Sequence, residues 1–546
     1  MHFKFVRSVL VCALLSAALC GVGPLGRRKV GAQASMGEAA GVVRAAPAAP
    51  VWDERERLAE LAGRRARVAE FVGPNSLMVL LSAEPRVYTG DVDYEYRQEN
   101  NLYYLTHLNQ PRTTLVLMPG HGRHREVLFM PRPVPAREVW EGRMYTPAEA
   151  QKLSGVGEIW EAGEFEPFMS ALLERKAYRP KPGSVLLSTA DQGARSSGGT
   201  TAAGAQSPSA DAAGYETLFA AMGRKESSLF MLPPGGRDTR EFRREKEAAE
   251  RWSKAESGLT VRSAWPVFAK LRLSKSAAEV RLIQHAVDIT AEGIGRALMA
   301  APRARWEYEL EAEIEYAFRR GNAAVGYPSI VGCGANATIL HYEASSAPCR
   351  PGDLLLMDVG AEFGHYSADV TRTVPVSGRF TREQADIYNA VLSAQEAAMR
   401  AARPGATLLD VHNAATESLK ESLLRLGLIT DRNSTQHGLW FMHGTSHWLG
   451  MNVHDVGGNG APLAPGMVFT IEPGLYVRSD ALDRLPKTDE WRKFAEAVRP
   501  AFEKYKNIGV RIEDDVVVTA DGHRNLSAAI PRTVADIEGF MARAAK

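Results

Sequence analysis

Four stretches of this 546-residue chain set acids in strand-like sequence, three of them a lone acid and the fourth Glu513-Asp514-Asp515, and nothing else in it constrains the fold as much. Leu354-Leu355-Leu356-Met357-Asp358-Val359-Gly360 reads as a buried strand carrying one carboxylate, and Tyr366-Ser367-Ala368-Asp369-Val370-Thr371-Arg372-Thr373 as a second. Val468-Phe469-Thr470-Ile471-Glu472 ends a third on a glutamate, and the strand from Gly509 to Val518 holds Glu513. Burying a carboxylate is costly unless it is paired or bound to a metal. A hairpin turning at Phe363-Gly364 would set Asp358 directly opposite Asp369, with Cβ atoms ~4.5–5.5 Å apart. Two carboxylates that close repel unless they share a proton or a cation. A cation is the economical answer.

Histidines cluster as well. Three of the chain's 13, His443, His447 and His454, fall in one block rich in Gly and Trp, which favours ligand or substrate contacts. No H-E-x-x-H helix occurs, so the site is not of the zincin type. Two Asp, two Glu and one His form an oxygen-rich set that suits two divalent ions, Mn²⁺, Co²⁺ or Zn²⁺, with no thiolate on offer. Two metals ~3.5–4 Å apart can hold a hydroxide and polarise a carbonyl.

The length implies more than one domain. Lys+Arg total 66 and Asp+Glu 64, a balance that gives no support for a nucleic-acid partner. Residues 1–34 combine Lys4 and Arg7, an apolar run from Ser8 to Leu19, and Ala32-Gln33-Ala34, which together read as a secretory signal peptide. The apolar run is too short for a membrane span, so an exported enzyme without stable membrane insertion is expected. Five of the 66 basic residues and both Cys12 and Cys20 lie in that leader, leaving 61 basic against 64 acidic residues and two cysteines. Whether Cys333 and Cys349 pair is open, with buried free thiols the default.

Residues 35–51 are rich in Ala, Gly and Pro, as in a flexible tether. Residues 52–264 alternate helix and strand, with a helix over 54–72 and strands at 77–82, 114–118 and 126–130, which implies an α/β domain. A Ser/Gly/Ala/Thr-rich insertion at about 190–214 cannot bury enough apolar surface to order itself. The charged stretch 237–256 reads as an exposed helix. A second domain, 265–546, follows. Ser276 and Glu279, and Thr381 and Gln384, have capping-box spacing ahead of long apolar-striped helices. The second of these ends before Pro404, and a further helix runs from Leu408 to Leu426 and stops at Gly427.

The run Ile330–Tyr342, the Asp358/Asp369 hairpin, the His443–His454 block, Ile471-Glu472-Pro473-Gly474 and Arg511-Ile512-Glu513-Asp514-Asp515 together resemble bacterial aminopeptidase P. This is the Xaa-Pro aminopeptidase branch of the pita-bread metallopeptidases. Upstream, Asp93–Gln98 and Trp140-Glu141-Gly142-Arg143 resemble that family's amino-terminal domain. The resemblance implies an α/β amino-terminal domain followed by an α+β pita-bread catalytic domain. It implies two divalent cations, most often Mn²⁺, with Asp358 on one, His447 and Glu472 on the other, and Asp369 and Glu513 bridging. The attacking group would be a metal-bridging hydroxide whose proton Glu472 shuttles. His341 and His454 would hold the scissile carbonyl, His443 and Trp140 would shape the pocket, and Tyr476 and Arg511 would tie the ligands from behind. Asp91 stands where a family acid reaches a neighbouring subunit's site, so a homo-oligomer acting on peptides with proline second is expected.

Three features depart from the family pattern: the 190–214 insertion, the charged stretch Asp480–Lys506, which suggests a lid or an interface, and Glu343-Ala344-Ser345-Ser346, which lacks the usual Asn-Glu after His341. Prolidase, acting on Xaa-Pro dipeptides with the same ligands, is the alternative, although Ser446 and Trp448 beside His447 look more like aminopeptidase P. A silent peptide-binding module would have lost ligand positions, and all five are present. No G-x-S-x-G occurs, so a serine hydrolase is not supported.

Overall fold

A computed structural model describes residues 43–189, 214–233 and 242–544. The leader, residues 1–34, and all but the last residue of the 190–214 insertion lie outside the described residues. Among the described residues no helix is long and apolar enough to cross a membrane.

Residues 43–51, read as the end of a tether, are irregular but seated. Ala46 N donates to Glu292 Oε2 at 2.8 Å, and Val43 packs beside Gly295 on the helix Ala277–Ala300. Composition predicts the lack of regular structure there, but not the surface that receives it. The helix Glu54–Val72 follows, capped by Asp53, whose side chain accepts from Glu56 N.

The first half builds a seven-stranded mixed sheet in the order Val185–Ser188, Glu158–Glu161, Glu126–Met130, Thr114–Leu117, Leu77–Leu81, Ser227–Met231, Leu259–Ser263. Its central strands Leu77–Leu81 and Thr114–Leu117 are apolar, fully buried runs because both faces are covered, whereas the edge strand Leu259–Ser263 is largely exposed. Leu77, Val79, Val116, Phe129 and Trp160 meet the helices Phe165–Leu173, Glu216–Gly223 and Arg243–Ser253 on one side. Met78, Leu80, Leu115, Leu128 and Ile159 on the other join Val68, Leu102, Phe268, Ile283 and Val287, so this core runs into the second half of the chain. The helix Arg243–Ser253 buries Glu245, Ala248 and Trp252 and is therefore docked rather than wholly solvated.

The second half repeats one order of elements. Helices Ala277–Ala300 and Glu307–Arg320 precede the antiparallel strands Ile330–Cys333, Leu354–Val359 and Val370–Pro375. Helices Arg382–Ala401 and Leu408–Leu426 precede Val468–Ile471, Gly474–Tyr476, Gly509–Arg511 and Asp514–Val518. Capping boxes at Ser276/Glu279 and Thr381/Gln384 start two of these helices as expected, and Gly427 ends a third. These helices share one core with the strands, and Asp358, Asp369 and Glu513 on or beside those strands are buried.

Candidate metal centre

The first pair of acids sits on a hairpin whose register differs from the expected one. Gly364 and His365 both have left-handed backbone, φ 56° and 69°, which makes them the two central residues of a tight hairpin turn. The turn therefore falls one residue later than read from sequence, and Asp358 pairs with Thr371 rather than Asp369. The two aspartates are diagonal neighbours on one face, still within mutual reach. Tyr327 Oη lies 2.6 Å from Oδ1 of both, so its single proton bonds one carboxylate at a time and the hydroxyl sits between the two.

The second pair sits at a break. Glu513 was expected inside one long strand, but it lies between Gly509–Arg511 and Asp514–Val518. Ile471 faces Asp514 and Gly474 faces Arg511, so Glu472 and Glu513 oppose each other across the gap in an unbroken register. The break frees the Glu513 N–H to donate to Thr371 O at 3.1 Å, which stitches the second strand set to the first.

His447 completes the cluster. Its Nε2 is 3.2 Å from Asp369 Oδ2 and 3.4 Å from Glu472 Oε1, and ligand atoms of Asp369, His447 and Glu513 all lie within 4.8 Å of one another. Arg511 closes the back: Nη2 donates to Asp358 Oδ2, Nη1 to Tyr476 Oη at 2.8 Å and Nε to Thr371 Oγ1 at 3.1 Å. Thr371 Oγ1 in turn donates to Glu513 Oε2 at 2.7 Å.

Electrostatics sort the acids into roles. Burial raises the pKa of Asp358, but the Arg511 guanidinium overrides it and holds the carboxyl below its usual range. Asp369 is raised by burial, with Asp358 adding repulsion against the pull of His447. Glu513 is pushed well up by burial and by Asp369, Glu472 and Asp358, and burial lifts Glu472 to about 7. Burial alone would lower His447, yet its bond to Asp369 and the Glu472 charge carry it to about 9. Four carboxylates thus crowd together facing Arg511 and one imidazole. Asp515, whose Oδ2 accepts from Asp369 N at 3.0 Å, keeps its Oδ1 buried without a partner. This oxygen-rich donor set with one imidazole fits divalent cations.

Around this centre, His454 stands edge-on to His447 with ring centroids 4.4 Å apart. His443 Nε2 lies 2.8 Å from Tyr476 Oη, and its Nδ1 3.7 Å from Glu472 Oε2. His341 is exposed on the loop after Ile330–Cys333, and burial, then the neighbouring His447, lowers the pKa of His454. Two residues singled out from the sequence are not brought here within the chain. Trp140, on the helix Pro135–Glu141, is 83% exposed, and Asp91 is exposed in the turn between Val87–Thr89 and Val92–Asp93. Three residues were missed: Tyr327, Thr371 and Asp515. Thr371 and Asp515 were visible only as neighbours of named acids, and Tyr327 in Gly326-Tyr327-Pro328 carried no signal at all.

Two further expectations change. Cys333 and Cys349 form a disulfide with Cα atoms 5.3 Å apart, not a pair of free thiols. The backbone of 347–349 folds back along 305–307 and returns Cys349 to the end of the Cys333 strand. Asp480–Lys506 contains the helix Asp489–Tyr505, which buries Phe494, Val498, Phe502 and Tyr505 in the main core instead of standing over the site as a lid.

With this geometry in view, two sequence profiles match the chain: Metallopeptidase family M24 over residues 281–520, and Aminopeptidase P, N-terminal domain over 61–179. The Xaa-Pro aminopeptidase of Escherichia coli K12 is 32% identical over 498 residues, covering 89% of this chain and 98% of that protein. Xaa-Pro aminopeptidase 1 of Streptomyces coelicolor is 32% identical, covering 89% of this chain and 87% of its own. Among solved structures, Pseudomonas aeruginosa aminopeptidase PepP superposes with a TM-score of 0.71 at 31% identity, covering 89% of this chain and 98% of that one. E. coli aminopeptidase P with the inhibitor Pro-Leu gives 0.71 at 29%, covering 91% and 100%.

Proposed function

Because the chain belongs to the Xaa-Pro aminopeptidases of metallopeptidase family M24, we propose that it uses two divalent cations, Mn²⁺ foremost, to release the residue that precedes proline at a peptide's amino terminus. The observation that carries this reading is the convergence of Asp369, Glu472 and Glu513 on His447, with Asp358 held beside Asp369 by Tyr327 and Arg511. Asp358 would hold one ion, His447 and Glu472 the other, and Asp369 and Glu513 would serve both. When bound, the ions would lower the pKa of a water and polarise the scissile carbonyl.

The remaining work falls to the chain's own groups. Glu472 would take a proton at its carboxylate and return it to the departing proline nitrogen. His454 and His341 would donate to the carbonyl oxygen as charge develops there. Arg511 keeps Asp358 ionised, and Tyr476 fixes His443 at the pocket wall. Export is supported by the leader-like residues 1–34, and a homo-oligomer by the exposed hairpin that carries Asp91.

The test is an assay of metal-stripped protein with and without Mn²⁺ on Xaa-Pro-Yaa tripeptides and Xaa-Pro dipeptides. Metal-dependent tripeptide turnover, abolished in Asp369→Ala, is the expected result. Turnover confined to dipeptides would make the enzyme a prolidase. Activity that survives both chelation and Asp369→Ala would overturn the two-cation mechanism.

A further inference from the structure

We propose that Glu307 is a positioning residue for the loop 334–348, which carries His341, and that it shares this task with the Cys333–Cys349 disulfide. The inference rests on the reading that His341 meets the scissile carbonyl. Glu307 opens the helix Glu307–Arg320 and is 0% exposed. Its Oε1 accepts from Cys333 N at 2.7 Å and Asn336 Nδ2 at 2.9 Å. Its Oε2 accepts from Tyr342 Oη at 2.8 Å and Ala347 N at 2.7 Å. Four donors and the helix N-terminus thus meet one buried charge.

Those donors come from the start, the middle and the end of a single loop, on both sides of His341. Apart from the short helical turn Gly334–Thr338, the loop has no regular structure of its own, so its order must come from such anchors. Backbone bonds complete the frame: Glu307 N donates to Ala347 O at 3.1 Å and Cys349 N to Arg305 O at 2.9 Å. The base of the loop rests on the site itself. A Cβ on Gly509 would lie 2.1 Å from Ala337 O, and Ala337 packs with Ile330, Leu356 and Tyr476, with Leu340 and Tyr342 against them. The disulfide ties the two ends together and Glu307 sets the shape between them, leaving His341 exposed.

Hydrogen-exchange mass spectrometry on full-length, metal-stripped protein tests the placement, and Mn²⁺-loaded kinetics on an Xaa-Pro-Yaa tripeptide test its use. Glu307→Gln is expected to speed exchange about tenfold in peptides spanning 333–350 and leave 354–375 unchanged. It should lower kcat/KM about tenfold in the parent, yet by less than about twofold in a His341→Asn background, because the two act through one contact. Tyr342→Phe, which removes one of the four donors, should move both readouts the same way by less. Unaltered exchange over 333–350 overturns the proposal, with Tyr342→Phe deciding if Glu307→Gln does not fold. An equal kinetic loss with and without His341 also overturns it. If exchange responds as expected but the parent hydrolyses no Xaa-Pro peptide, the functional reading fails while the anchoring by Glu307 stands.

Discussion

Tyr327 shows how much of a buried acid centre depends on groups that are not acids. Its hydroxyl lies 2.6 Å from Oδ1 of both Asp358 and Asp369, so it spaces two prospective ligands at once with a single proton to give. Outer partners of this kind commonly change metal affinity by about 10–100-fold, and Tyr327→Phe should weaken Mn²⁺ uptake by metal-stripped protein on that scale in calorimetric titration. A second residue-scale effect lies far from the centre. His107 stacks on Tyr103 and meets Trp52 edge-on, and burial with Arg64 and Arg57 nearby lowers its pKa to about 3. A histidine depressed in the folded state adds stability that is complete above its unfolded pKa of ~6.5 and drains away as pH falls towards the folded value. Melting temperature should therefore fall between pH 7 and pH 5, and fall less steeply in His107→Phe.

At the scale of elements, the helix Asp489–Tyr505 distinguishes a packed element from a mobile lid. Phe502 is buried in the main core, so Phe502→Ala should cost about 3–5 kcal/mol in denaturant unfolding while kcat/KM of the folded fraction stays unchanged. A large kinetic change with little loss of stability would assign the segment to the site instead. Helix starts and stops were legible because they depend on local chemistry: Ser276 and Glu279 cap each other within one turn, and Gly427 takes the left-handed position that ends Leu408–Leu426. The hairpin register was not legible to better than one residue. It depends on whether His365 accepts φ 69° beside Gly364, and sequence favoured the flatter reading.

Across the whole molecule, the amino-terminal half grips the segment that carries His454. Arg97 Nη2 donates to Met451 O at 2.9 Å, Asn100 Nδ2 to Asn452 Oδ1 at 2.7 Å, and Arg272 joins Asn101 Oδ1 to Asp455 Oδ1 at 2.8 and 2.6 Å. Lys275 is a second cation on Asp455, at 3.3 Å. Removing Arg272 leaves Asn101 Oδ1 without its donor and Asp455 with Lys275 alone, so Arg272→Met should cost about 3 kcal/mol in equilibrium unfolding. It should also raise KM for tripeptides, since His454 adjoins Asp455. Near-parent stability would show that the grip is redundant.

Residue type and local spacing determined the candidate ligand set, the helix caps and the kinship, because an acid in an apolar strand must be compensated wherever that strand goes. The tertiary structure decided what those acids meet. It set Asp358 and Asp369 on a diagonal, turned Glu513 across a strand break towards Thr371, joined Cys333 to Cys349, and left Trp140 facing outward. Each of these depends on how segments distant in sequence pack, and local propensity carries no record of such contacts.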